Sequence, residues 1–239
     1  MLIENDLTRK PQPFIIVAGV RTGGTILTHA LDSHPLIHCA RGEPWHKHSK
    51  WRQVGLERPQ IIKLLLRQTG YMASGFKIQA IQLPDLEVLE LLKAYQPYII
   101  LLSRENILRQ AISFSINNQV RRGLTKFVPQ HSFEPVPNHS IRLDEDEVLK
   151  RCNELSETAS IAEELIEDSG LRYISLTYEQ LIAGKSEISK LPTMIARQLC
   201  LYLGVPIMSL PIFLKRVNWQ PLEEIVRNIT ELEQLVNDR

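Results

Sequence analysis

Short apolar runs alternate with stretches of helical period along this chain. Phe14 to Ala18, Gly75 to Ala80, Tyr98 to Ser103 and Arg172 to Thr177 are brief runs rich in β-branched and aromatic residues, the pattern of strands buried on both faces. Between them, apolar residues recur at helical spacing over Thr25 to Ser33, Pro59 to Gln68, Leu83 to Ala94 and Asn106 to Val120. Strands alternating with helices predict an α/β fold, a three-layer α/β/α domain around a central parallel sheet of four or five strands. Further along, the pattern predicts a long acidic helix from Asp144 to Asp168, a short helix near Tyr178, a helix from Ser189 to Leu203 and a C-terminal helix from about Pro221 to Asn237.

Residues 123 to 143, GLTKFVPQHSFEPVPNHSIRL, carry three prolines and no helical period. A loop of that length in a compact domain is expected to be a lid or an acceptor-binding loop. Repeats, low-complexity tracts and domain linkers are absent from the sequence, so 1–239 is expected to form one domain, with a lead at 1–13 and a tail at 205–239.

Charge changes this picture locally. The formal net charge is +1. Arg104 to Lys126 holds five basic residues against one acid, a block able to focus an anionic ligand. Asp144 to Asp168 holds ten acids against two basic residues and reads as a solvated helix face. Cys39, Cys152 and Cys200 are widely spaced, with no C-x-x-C pair, and are expected to be reduced thiols in a cytoplasmic protein. The first residues, MLIENDLTRKPQP, are too polar for a signal peptide, and no apolar run reaches the ~18 residues of a membrane span. The expected partner is a small molecule or carbohydrate, not nucleic acid or a membrane; the pattern does not fix an oligomeric state.

The chemistry starts in FIIVAGVRTGGTILTHALDSHP, residues 14 to 35. A strand ends at Gly19, a short loop holds Arg21, Thr22, Gly23 and Gly24, and a helix opens with Thr25 and Ile26. Strand, glycine loop and helix start form a cradle for an anionic group. Gly19 and Gly24 have Walker A spacing, but Thr25 stands in place of the lysine and Ile26 in place of the magnesium-binding hydroxyl. No metal ligand is expected, and a magnesium-dependent nucleotide hydrolase is disfavoured. A second candidate is YIILLSRENILRQAISFSI: Arg104 ends a strand where α/β folds bind ligands, and Ser113 follows in the next helix.

Together these two motifs resemble the sulfotransferase superfamily that uses 3′-phosphoadenosine 5′-phosphosulfate (PAPS). VRTGGTIL is similar to its 5′-phosphosulfate loop, with Val20 in place of the usual proline. SRENILRQAIS is similar to its 3′-phosphate motif, with Ser113 one residue further from Arg104 than is commonest. DSHPLIHCARGEP, LTYEQLI and LKRVNWQPLEEIVRNITEL also resemble segments of bacterial carbohydrate-type and tyrosyl-protein-type members.

The resemblance implies PAPS as donor and 3′-phosphoadenosine 5′-phosphate (PAP) as product, without a metal. It implies nucleotide binding by Arg21, Thr22, Gly23, Gly24, Thr25, Ile26, Arg104 and Ser113, with Lys215 and Arg216 as further candidates from the tail. Arg21 would stabilise charge on the leaving 5′-phosphate. Glu43, in RGEPWHKHS, is the first choice of general base, with His46 and His48 as rivals. Lys77 ends a strand where some members have a lysine followed two residues later by a catalytic histidine. Gln79 stands there instead, so Lys77 either touches the reacting groups or snorkels from a sheet edge. Trp45, Trp51, His131 and Phe133 fall in the stretches expected to line the acceptor pocket. Two alternatives stay open: a degenerate P-loop kinase or hydrolase, and a non-catalytic PAP-binding protein.

Overall fold

A computed structural model describes residues 10–44, 55–121, 141–183, 189–213 and 222–237. Five strands, β1 Gln12–Ala18, β2 Ile37–Ala40, β3 Ala73–Gln79, β4 Tyr98–Ser103 and β5 Tyr173–Thr177, form one sheet in the order β2-β3-β1-β4-β5. Every pairing is parallel. Parallel neighbours require crossover connections, and helices supply them. The crossover helices are α1 Gly24–Asp32, α2 Arg58–Leu66, α3 Leu86–Tyr95, α4 Ile107–Arg121 and α5 Glu145–Asp168; α6 Tyr178–Ile182, α7 Thr193–Leu203, α8 Leu222–Ile225 and α9 Ile229–Asn237 follow the last strand.

The two-residue period of β1 divides the core. Phe14, Ile16 and Ala18 pack against Leu27, Ala30 and Leu31 of α1 and Leu199 and Leu203 of α7. Ile15 and Val17 face the other way, onto Ile61 and Leu65 of α2, Val88 and Leu91 of α3, and Ala162 and Ile166 of α5. This is the three-layer α/β/α arrangement expected from the sequence. A third cluster joins Ala111 and Ile112 of α4 to Val148 of α5 and to Ile225 and Leu232 of α8 and α9.

Register brings three strand ends to one edge. Ala18 pairs with Gln79 on one side and with Leu102 on the other, so the loop after β1, the end of β3 and the residue after β4 meet there. One glycine permits that alignment. A Cβ on Gly75 would lie 2.1 Å from the Phe14 carbonyl oxygen and 2.7 Å from its ring.

Three elements differ from the sequence reading. The strand β2, Ile37–Ala40, was not among the four apolar runs. It is an edge strand of four residues, fixed by pairing with β3 and by the buried His34, whose Nδ1 accepts the Leu36 N–H at 3.0 Å while its Nε2 donates to the Pro206 carbonyl at 3.0 Å. The helix expected from Ser189 begins only at Thr193, because Lys190 bridges to Pro211 and Leu191-Pro192 is extended ahead of it. The C-terminal helix expected as one piece is two. Asn228 breaks it by donating to the Leu143 carbonyl at 2.9 Å and accepting the Leu143 N–H at 3.1 Å, while Val226 bridges to Ile141. Residues 141–143 therefore belong to this anchored segment, and the rest of the expected 123–143 loop lies outside the described residues.

Gly75→Ala should cost about 3 kcal/mol or more in urea unfolding, since the clash is with backbone and an aromatic ring. Gly170→Ala, where φ is +63° and the space is open, should cost only about 1–2 kcal/mol. Equal losses at the two positions would show that the β1–β3 approach is not the constraint.

Candidate functional site

At the shared edge the chain turns through Gly19 to Gly23 and enters α1. Gly23 has a positive φ of +85°, and the non-glycine Arg21 is positive too, at +62°. A side chain in that region costs roughly 1–2 kcal/mol, so its surroundings must hold it. They do so through the loop carbonyls. The Thr22 hydroxyl donates to the Gly19 carbonyl at 2.7 Å, Gln110 Nε2 donates to that of Val20 at 2.7 Å, and Arg104 Nη1 donates to that of Arg21 at 3.2 Å. The first N–H groups of α1 have no intrahelical partner by geometry. Gly23, as the N-cap, offers no side-chain acceptor, and the first turn carries no acid. Helix dipole and N–H donors thus meet a loop that contains Arg21.

Arg21 and Ser113, placed in separate motifs by the sequence, touch: Arg21 Nε donates to Ser113 Oγ at 2.9 Å. With Arg104 bonded to the Arg21 backbone, the two expected anion sites are one continuous surface. Arg104 is itself well anchored. Its guanidinium carbon lies 4.4 Å from the centroid of the Tyr178 ring, and its Nε is 3.8 Å from Glu179 Oε1. Tyr178 also backs the loop, since a Cβ on Gly23 would come within 2.9 Å of its ring. Glu179 accepts the N–H groups of Glu105 at 3.0 Å and Asn106 at 3.5 Å at the entry to α4. In the sequence, LTYEQLI carries only a resemblance. Its Tyr and Glu turn out to brace Arg104, and Gln110 braces the loop. The signal the sequence carries for Gln110 is a glutamine directly before the apolar pair Ala111 and Ile112 in a stretch of helical period.

On the other side of the loop is Glu43. Gly42, at φ +92°, supplies the left-handed turn that directs it inward, and the buried Pro44 follows. Lys77 Nζ lies 2.8 Å from Glu43 Oε1, with side-chain exposures of only 15% and 14%. Gln79 Nε2 donates to Glu43 Oε2 at 2.5 Å. Lys77 is not at a sheet edge, since β3 lies between β2 and β1; this corrects the snorkelling alternative. It faces Ile16 in register, on the α1 side, and its side chain crosses the loop. A Cβ on Gly24 would be 2.7 Å from Lys77 Cδ and 3.5 Å from its Nζ. An ammonium group thus stands over the start of α1, although the loop itself has no lysine.

Thr25 and Ile26 sit in the first turn of α1, exposed and half-buried respectively. Lys215, Arg216, His46, His48, Trp45, Trp51, His131 and Phe133 lie outside the described residues. Among the described residues no group of three or more His, Cys, Asp or Glu side chains could hold a metal ion, and no helix is long and apolar enough to cross a membrane. Burial pushes the Cys39 thiol well above its ordinary pKa, which keeps it a protonated, buried thiol.

Comparison with protein-family models gives no match, and none of the curated proteins matches. Among solved structures, the crystal structure of a sulfotransferase from Alicyclobacillus acidocaldarius is similar, with a TM-score of 0.52 and 16% identity over 96% of each chain. At that identity the likeness is one of fold.

Gly24→Ala separates the site from the fold. The new methyl meets the flexible Lys77 stem at 2.7 Å and the Ala18 Cβ at 3.1 Å, and alanine's gain of about 0.5–1 kcal/mol over glycine in a helix offsets part of that crowding, so urea stability should fall by about 1–3 kcal/mol with the fold retained. Displacing Lys77 should weaken inorganic pyrophosphate binding about tenfold, the scale of one charge-assisted contact. Unchanged affinity by calorimetry would detach Lys77 from the anion site.

Proposed function

We propose that the protein transfers the sulfuryl group of PAPS to a hydroxyl or amine of a small-molecule or carbohydrate acceptor. The observation that carries this reading is the Lys77–Glu43 pair laid against the glycine loop: a cation for a departing phosphate and a carboxylate for an incoming hydroxyl, side by side. The donor set fits a bisphosphorylated nucleotide. The uncapped start of α1 with Arg21, Thr22, Gly23, Gly24 and Thr25 suits a 5′-phosphosulfate, and Arg104 with Ser113 suits a 3′-phosphate. When bound, PAPS supplies an activated sulfuryl group whose transfer needs no metal.

Each residue then has a task. Arg21 and Lys77 offset negative charge that develops on the oxygen bridging phosphate and sulfur, acting as fixed electrostatic stabilisers. Glu43 accepts the proton of the acceptor hydroxyl. Ser113 Oγ accepts from Arg21 Nε and so fixes the direction of its guanidinium. The 15% and 14% exposures of Lys77 and Glu43 keep water from weakening their interaction.

Glu43→Gln keeps the side-chain length and removes its basicity. With PAPS and a panel of sugar and phenol acceptors, it should lower kcat by about 10²–10⁴ and leave PAP affinity nearly unchanged. Alanine variants at His46 and His48 are the controls; a dead histidine variant beside an active Glu43→Gln would move the base to that histidine. Turnover should also persist in excess EDTA, because Thr25 and Ile26 stand where the metal-dependent loop has its lysine and hydroxyl. Loss in EDTA with recovery on adding magnesium would favour a nucleotide kinase or hydrolase instead.

A further inference from the structure

We propose that Gln79 is a positioning residue for Glu43, an inference that rests on the reading of Glu43 as proton acceptor. Strand alternation puts Lys77 and Gln79 on one face of β3, in register with Ile16 and Ala18. They hold the two carboxylate oxygens separately: Lys77 approaches Oε1 at 2.8 Å and Gln79 approaches Oε2 at 2.5 Å.

The direction of the Gln79 amide is fixed by a second contact. Its side chain accepts the backbone N–H of Gln82, while Gln82 Oε1 accepts the Gln79 N–H at 2.9 Å, in a reciprocal cap on the 3-10 turn Ala80–Gln82. A carboxylate paired with an ammonium only accepts, so the NH₂ is the end of the amide that meets Glu43 and the amide oxygen is turned toward the Ala80–Gln82 turn. A lone lysine contact would leave the carboxylate free to rotate about its own axis. A second donor from the same rigid strand removes that freedom. Being neutral, it does so without adding another cation. Each carboxylate oxygen keeps a remaining lone pair for a substrate proton.

Two substitutions separate positioning from turn capping. Gln79→Glu keeps the length and the oxygen that takes the Gln82 N–H, but turns a carboxylate toward Glu43. Gln79→Leu removes both contacts. With PAPS and the same panel of sugar and phenol hydroxyls, both variants should lose about 10- to 100-fold in kcat, the scale of a misplaced catalytic group, while PAP affinity stays within about twofold. Wild-type kcat in Gln79→Glu would mean that Gln79 only caps the turn, and would overturn the proposal.

A thermal-unfolding double-mutant cycle reads the contact without any reaction. Gln79→Glu should lower Tm in the otherwise wild-type chain and not in the Glu43→Gln chain. Absence of that coupling overturns the proposal whatever the protein catalyses. Coupling in a protein inert towards PAPS would support Gln79's hold on Glu43 and remove the sulfuryl-transfer reading instead.

Discussion

The Lys77 side chain, laid across the glycine at which α1 begins, is the contact on which the site depends. Through it, a strand from the middle of the sheet, the loop after β1 and the Glu43 turn after β2 share one ion pair. Both partners are largely withdrawn from water. Removing one member of such a pair is costly, about 3–5 kcal/mol, because the survivor is left uncompensated. The pair is therefore better understood as a specification of geometry than as a stabilising ornament. It fixes where a cation and a carboxylate stand relative to the loop before any ligand arrives, which is what preorganised electrostatic catalysis requires.

The second half of the site is held by a different device. Arg104 would be poorly placed as a bare surface cation after β4. Tyr178 supports its guanidinium face, Glu179 approaches its Nε, and the Arg21 carbonyl takes one of its protons. Glu179 also accepts two N–H groups at the start of α4, so the helix carrying Ser113 and the strand end carrying Arg104 are set by one carboxylate. The Arg21–Ser113 bond then closes the circuit back to the glycine loop. β5, an edge strand, matters to the candidate site because it delivers Tyr178 and Glu179 to this junction.

Much of the scaffold was legible because parallel strands buried on both faces must be continuously apolar. FIIVA and YIILLS satisfy that rule and sit in the middle of the sheet. Ile37–Ala40 escaped notice because an edge strand of four residues containing His38 and Cys39 has no such signature; its identity comes from β3. The break at Asn228 was equally silent, since its partner, Leu143, is 85 residues away in sequence. Within the site, the glycine loop declared itself through local spacing. The proximity of Lys77 and Gln79 to Glu43 could not be read that way, because it follows from sheet order and from the left-handed turn at Gly42. Alternation along β3 announces that Lys77 and Gln79 share a face; only the fold says what they meet.

The central claim is that this loop and Arg104 together recognise a nucleotide bearing both a 5′- and a 3′-phosphate, without a metal. Calorimetric titration of the full chain with PAP, AMP and ATP, each with EDTA and with magnesium, tests it most directly. The account predicts that PAP binds at least about tenfold more tightly than AMP, one charge-assisted contact being worth that much, and that magnesium leaves its affinity unchanged. Tight, magnesium-dependent binding of ATP with no preference for PAP would contradict it.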